Sequence, residues 1–159
     1  MAYFFTTTFG KVVYTFLISM IPVVELRGAI PIGTASGLDV FTATAVSVVG
    51  NLVPVPFIIL FIRKIFALIR KWFPKLDGFI LKLEKRAEKK SDTVLRSTFW
   101  GLFILVAIPL PGTGAWTGAL IAAMLDMRLK RAMPAIALGV VAAGIVVALA
   151  TSGLITLLV

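Results

Sequence analysis

Cysteine and histidine are both absent from this chain of 159 residues. Without cysteine there is no disulfide, no thiol nucleophile and no thiolate metal site. Without histidine there is no Ser-His-Asp chemistry and the commonest zinc ligand is missing, which leaves carboxylates as the natural proton carriers near neutral pH. Carboxylates are scarce too, with seven Asp and Glu against sixteen Lys and Arg. No pair of neighbouring acids suits acid–base work, so an intramembrane enzyme is disfavoured. The start, Met1-Ala2-Tyr3-Phe4-Phe5, has no basic region and no small-x-small cleavage site behind a short apolar core, and it reads as mature protein.

What is abundant is apolar sequence. The chain is 60% hydrophobic with a mean hydropathy of +1.06, far from the balance of a soluble domain. Apolar runs cover about 12–62, 99–125 and 132–159. The expectation is one all-α integral membrane domain over 1–159, in the plasma (inner) membrane of a prokaryote, with membrane lipids as partners. The net charge of +9 is localised. Eleven basic residues lie between Arg63 and Arg96, and Arg128, Lys130 and Arg131 lie between the last two apolar blocks. They flank membrane segments, where the positive-inside rule explains them, so nucleic acid is not an expected partner.

The blocks differ in how they are interrupted. Residues 9–21 read as helix, and Pro22, Glu25, Arg27, Gly28, Pro31 and Gly33 then follow within one short stretch. Residues 39–66 form a long run that crosses a ~30 Å hydrocarbon core with tilt to spare at ~1.5 Å per residue. Pro54 and Pro56 are expected to kink it and free carbonyls around Gly50 and Asn51. The 67–98 connector is hydrophilic. Leu76, Phe79, Ile80, Leu83 and Ala87 recur at helical spacing opposite Lys75, Lys82, Lys85, Arg86 and Lys89, which fits an amphipathic helix on an anionic leaflet as well as a solvated basic loop. The 99–125 block is broken by Pro109-Leu110-Pro111-Gly112-Thr113-Gly114, and 132–157 makes a final span in which Gly139 and Gly144 suit close helix packing. Asp39 and Asp126 sit just outside apolar blocks, as helix caps or interfacial charges.

A repeat emerges. Ala29-Ile30-Pro31-Ile32-Gly33-Thr34 matches Ala107-Ile108-Pro109-Leu110-Pro111-Gly112-Thr113 with one insertion, and each is followed by a long span. The unit covers about 9–66 and again about 99–157. Four full crossings would put the two basic clusters on opposite sides. Two re-entrant hairpins, each returning to its own side, put both clusters in the cytoplasm and both termini outside, as in an inverted-topology repeat. Irregular backbone at membrane depth is tolerated only where it is buried in protein or lines a wet cavity. Two such tips meeting near the midplane therefore make a site, and burying them calls for a second copy, a homodimer.

Glu25 and Arg27 are the charges of that site. An ionisable group at the bilayer centre costs ~2.5–3.5 kcal/mol on insertion scales, so such groups mark ion or substrate paths. Unpaired, Glu25 is a proton carrier; paired with Arg27 across an unwound tip, it is half of a structural ion pair, and the residues leave both open. Arg27 is a natural fork for an anionic headgroup. Helix N-termini after Pro31 and after Gly112 are expected to aim N–H donors at the same place. Asn51 is a polar handle or a packing hydrogen bond. Thr113 and Thr117 offer hydroxyls, and Trp116 offers a stacking or gating face or ordinary packing.

The motifs Glu25-Leu26-Arg27-Gly28-Ala29-Ile30-Pro31 and Pro109-Leu110-Pro111-Gly112-Thr113-Gly114-Ala115-Trp116-Thr117-Gly118 resemble the putative small multidrug export protein family over nearly the whole chain. The resemblance implies a remote relationship to the DedA/VTT superfamily of lipid transporters and scramblases, and with it two opposed re-entrant hairpins. It also implies a polyprenyl phosphate as substrate, coupling to an ion gradient, Glu25 as the acid of the first hairpin and Arg27 as the base near it. The second hairpin departs from the DedA pattern in having no arginine after its Pro-Gly. The expected function is a secondary transporter of an amphiphilic anion, coupled to H+ or Na+ and needing no other cofactor. A proton-coupled exporter of cationic amphiphiles and a non-transporting scaffold are the alternatives. The candidate site comprises Glu25, Arg27, Gly28, Pro31, Asn51, Pro109, Pro111, Gly112, Thr113, Gly114, Trp116 and Thr117.

Overall fold

A computed structural model describes residues 7–72, 74–82, 84–85, 98–110 and 112–158. Helix is the only regular structure among the described residues. Helix α1 (Thr8–Ser19) opens on Thr7, whose hydroxyl accepts the Gly10 N–H at 3.1 Å. Helix α2 (Glu25–Ala35) follows after a short irregular tip. Asp39 is a cap, as its position implied. Its carboxylate accepts the Thr42 N–H at 2.8 Å and starts α3 (Val40–Leu52), and these Thr42 hydrogen bonds hold the carboxyl below the usual carboxylate range. The break expected from Pro54 and Pro56 falls at Val53, after which α4 (Pro54–Trp72) continues the same rod. Helices α5 (Thr98–Ala107), α6 (Ala115–Met124) and α7 (Leu129–Leu158) complete the chain.

Two helical stretches, Val40–Trp72 and Leu129–Gly153, are long and apolar enough to cross a membrane. The other helices are not. The 12 residues of α1 span about 18 Å and the 10 of α6 about 15 Å, against a ~30 Å core. Large apolar side chains also face outward, Phe41 at 83% and Leu149 at 68% exposure, which suits lipid rather than water.

Side-chain contacts fix the directions. A Cβ on Gly37 would stand 2.9 Å from Lys11 Nζ, and one on Gly33 would stand 2.8 Å from Thr15 Oγ1. Helices α1 and α2 are thus an antiparallel pair whose open end lies beside the start of α3. The closed end reaches only Gly50, where Phe16 and Ser19 pack against the middle of the long rod. In the second half, Val106 and the Phe103 carbonyl at the end of α5 pack on Gly139, well inside α7. A Cβ at Gly139 would sit 2.7 Å from Val106 Cβ, so glycine there sets the approach of the two helices. Arg63 pairs with Asp126 just before α7, while Gly144 lies against Val48 and Thr44. The two long helices therefore run antiparallel, and the Arg63 and Arg128–Arg131 charges share one end.

The core follows from this exchange. Helix α2 packs on α7 and α6 on α4, each short arm resting on the long helix of the other half. Leu26, Ile30, Val55, Ile58, Leu102, Ile121 and Ile136 fill the space between them. The halves repeat short helix, short helix, long helix, but not in the register expected from the Ala-Ile-Pro match. Pro31 lies inside α2, whereas Pro109 precedes α6 in irregular backbone. The element boundaries instead align Ile21-Pro22 with Ile108-Pro109 and Leu38-Asp39 with Leu125-Asp126, without a gap.

In the connector, Pro74–Leu76 is a 3-10 turn and 77–82 is helical. Arg70 binds Asp77 at 2.8 Å and Glu84 at 2.6 Å, folding it back on the end of α4. Phe79 and Leu76 are exposed and Ile80 is buried, while Leu83, Arg86, Ala87 and Lys89 lie outside the described residues.

Because the chain has no cysteine, single cysteines report topology directly. In oriented vesicles Lys11→Cys and Arg131→Cys are expected to react with impermeant maleimide from opposite faces. Labelling of both from one face would contradict the arrangement.

Candidate functional site

The tips of the two broken blocks meet, and their polar groups cross from one to the other. Glu25 begins α2 in a left-handed conformation, φ +48°, which costs an ordinary residue ~1–2 kcal/mol. Its side chain is 4% exposed. Oε1 accepts the backbone N–H of Trp116 at 3.1 Å, in the first turn of α6. Helix α6 has no side-chain cap of its own, because its N-cap is Gly114 at φ +123°. A Cβ on Gly114 would run into the Glu25 carboxylate, 2.8 Å from its Cδ. Glycine is thus required twice over, by backbone sign and by space. The first turn of α6 has open N–H groups and a positive dipole end, and a carboxylate from the other half satisfies both.

Arg27 makes the second crossing. Nη1 donates to the Leu110 carbonyl and Nη2 to Thr113 Oγ1 at 2.9 Å. The Thr113 hydroxyl lies 2.8 Å from the Ile108 carbonyl and 2.7 Å from that of Leu110, so it also ties its own turn. A third link runs the opposite way: Trp116 Nε1 donates to the Met20 carbonyl at 3.1 Å, at the end of α1.

The ion pair left open by the sequence is not formed. Among the described residues the salt bridges are Arg63–Asp126, Arg70–Asp77 and Arg70–Glu84. Glu25 and Arg27 each hold the second block instead of each other, because both lie in the first turn of α2 rather than on an unwound loop. The expected helix start after Pro31 is corrected for the same reason: α2 already begins at Glu25 and carries Pro31 in its interior.

Of the other candidates, Gly112 takes φ +77° and its carbonyl accepts the Thr117 hydroxyl at 3.3 Å, so Thr117 braces the tip. Gly28 leaves space for the Val24 side chain, and Pro109 lies in the irregular tip. Pro111 lies outside the described residues. Asn51 stands apart from the crossing, buried on α3. Sequence reading missed the Met20 and Leu110 carbonyls, which carry no side-chain signal. It also missed Ser47, whose spacing of one helical turn from Asn51 in an apolar run was a usable sign.

The chain belongs to the putative small multi-drug export protein family, whose model matches residues 25–146, beginning at Glu25 itself. Comparison with curated proteins and with solved structures finds no match. Membership and the two apolar spans make this a membrane protein of an export family.

The Glu25–Gly114 fit is testable by coupling. Gly114→Ala is expected to destabilise by ~1–3 kcal/mol, from strain and overpacking together. Glu25→Ala opens the space, so the double variant should be less destabilised than the sum of the two single changes. Additive unfolding free energies in mixed micelles would refute the fit.

Proposed function

We propose that the protein is a secondary membrane transporter moving an amphiphilic anion, such as a polyprenyl phosphate, with coupling to H+ or Na+. The observation that carries this is Arg27. Its guanidinium is half-buried where the two tips meet and is held by a carbonyl and a hydroxyl, both neutral, with no carboxylate partner among the described residues. Glu25 acts on it electrostatically but makes no direct ion pair with it, and a guanidinium fork not closed by a carboxylate is suited to recruit phosphate. Glu25, the one buried acid among the described residues, is then the coupling group.

The geometry supports alternating access by two inverted hairpins. The short helices cannot cross alone, their closed ends lie level with the middle of the long helices, and those helices run antiparallel. In this reading the two hairpins enter from opposite faces and both basic clusters are cytoplasmic. Movement of substrate breaks and remakes the Glu25 and Arg27 crossings in turn.

A second reading, proton-coupled export of cationic amphiphiles with Glu25 exchanging a proton for the drug, is favoured by the description of the family. Proteoliposome flux separates the two. Labelled polyprenyl phosphate is expected to move in wild-type vesicles under a pH or Na+ gradient and to lose its gradient dependence in Glu25→Gln. Gradient-driven movement of a cationic dye, with none of the lipid phosphate, would overturn the anion reading.

A further inference from the structure

One turn of α3 carries buried polar atoms that the crossing does not use. Ser47 is 0% and Asn51 1% exposed. Ser47 Oγ, Asn51 Oδ1 and Asn51 Nδ2 all lack a hydrogen-bond partner. A buried polar atom left unpaired is costly, and in an apolar span no water from outside relieves it. The two residues lie one helical turn apart on the buried face of α3, beside Gly50. In the same turn Gly50 lies against α1, where a Cβ on it would stand 2.6 Å from the Phe16 carbonyl, while Thr44 and Val48, on the Asn51 side of α3, lie against Gly144 of α7. Ser19 does not pair with them, because its hydroxyl donates to the Phe16 carbonyl at 2.7 Å.

The same turn has a surplus of acceptors. Pro54 and Pro56 bring no N–H to the carbonyls of Gly50 and Leu52. The Gly50 carbonyl is left with a long 3.3 Å bond from Val53 N–H, which is shared with Val49. Ser47 Oγ, Asn51 Oδ1 and the weakly bonded Gly50 carbonyl are thus three neutral oxygens within one turn of α3, beside the single unpartnered amide Nδ2, and neutral oxygens are the ligands of a hard cation. The oxygens of Ser47, Asn51 and the backbone carbonyl are all neutral, which suits a single positive charge better than a double one.

We propose that Ser47 Oγ and Asn51 Oδ1, with carbonyl oxygen from the proline break at Val53, form a binding site for an alkali cation. The site is separate from Glu25 and Arg27 yet adjoins them through the end of α1: Phe16 and Ser19 pack at Gly50, and the next residue, Met20, receives Trp116 Nε1. Occupancy of the site stiffens the end of α1 on which the crossing rests. Binding stands on the geometry alone; only a part for it in transport, beside Glu25, rests on the transport reading above.

The test uses the full chain in detergent at fixed pH and ionic strength. Thermal unfolding is followed in NaCl, KCl and choline chloride, with radioactive sodium binding measured beside it. A saturable rise in Tm with Na+ or K+ over choline is expected. Asn51→Leu and Ser47→Ala should lose that rise and the bound sodium, while in choline alone they remain at least as stable as wild type, because unpaired buried atoms have been removed. Glu25→Gln should keep the rise, so failure of the anion-transport reading does not erase this one. Equal Tm in all three salts, or an alkali-specific rise that survives in both Asn51→Leu and Ser47→Ala, would overturn the proposal.

Discussion

Two broken helices end against each other, with Val23 and Leu110 of their tips facing outward, and each leaves backbone groups that must be satisfied. The crossing of Glu25 and Arg27 meets that need for the second tip, and Trp116 returns the bond to the first. The rest of the architecture follows from this constraint. Gly114 must be glycine because the Glu25 carboxylate occupies the place of its side chain. Helix α6 needs no cap of its own because α2 supplies one. The inner short helices α2 and α6 stop where their ends can be paired and rest on the long helix of the opposite half.

The two halves share a scaffold but not a chemistry. In the register where Ile21-Pro22 aligns with Ile108-Pro109, Glu25 falls on Gly112 and Arg27 on Gly114. Charges in one tip thus correspond to glycines in the other, and the absent side chain of Gly114 makes the room that the Glu25 carboxylate fills. This complementarity lets a single carboxylate and a single guanidinium serve both tips. It also leaves the guanidinium without a direct carboxylate contact among the described residues, which is the basis for proposing an anion there.

Much of this was legible in the sequence because it depends on residues that disrupt apolar runs. The Pro-Gly tips, the break at Pro54 and the Asp39 cap all follow from local rules on proline and capping, and membrane charge singles out Glu25 and Arg27, which lie where the tips meet. The partners did not. Whether Glu25 meets Arg27 or Trp116 depends on where α2 begins, and Pro31 obscured that by standing inside the helix rather than at its start. The Ala-Ile-Pro string aligns the halves in one register, whereas the boundary residues Leu38-Asp39 and Leu125-Asp126 align them in another, because Pro31 stands inside a helix and Pro109 outside one. Backbone acceptors such as Leu110 and Met20 have no sequence signature at all.

The most direct test of the account is the coupling energy between Arg27 and Thr113. Unfolding free energies of Arg27→Met, Thr113→Val and the double variant in mixed micelles give that value without knowledge of the substrate. The crossing predicts a coupling of ~0.5–3 kcal/mol, as for residues in direct polar contact. A coupling of zero, with the two single effects simply adding, would show that the tips are not held together by this interaction and would contradict the account.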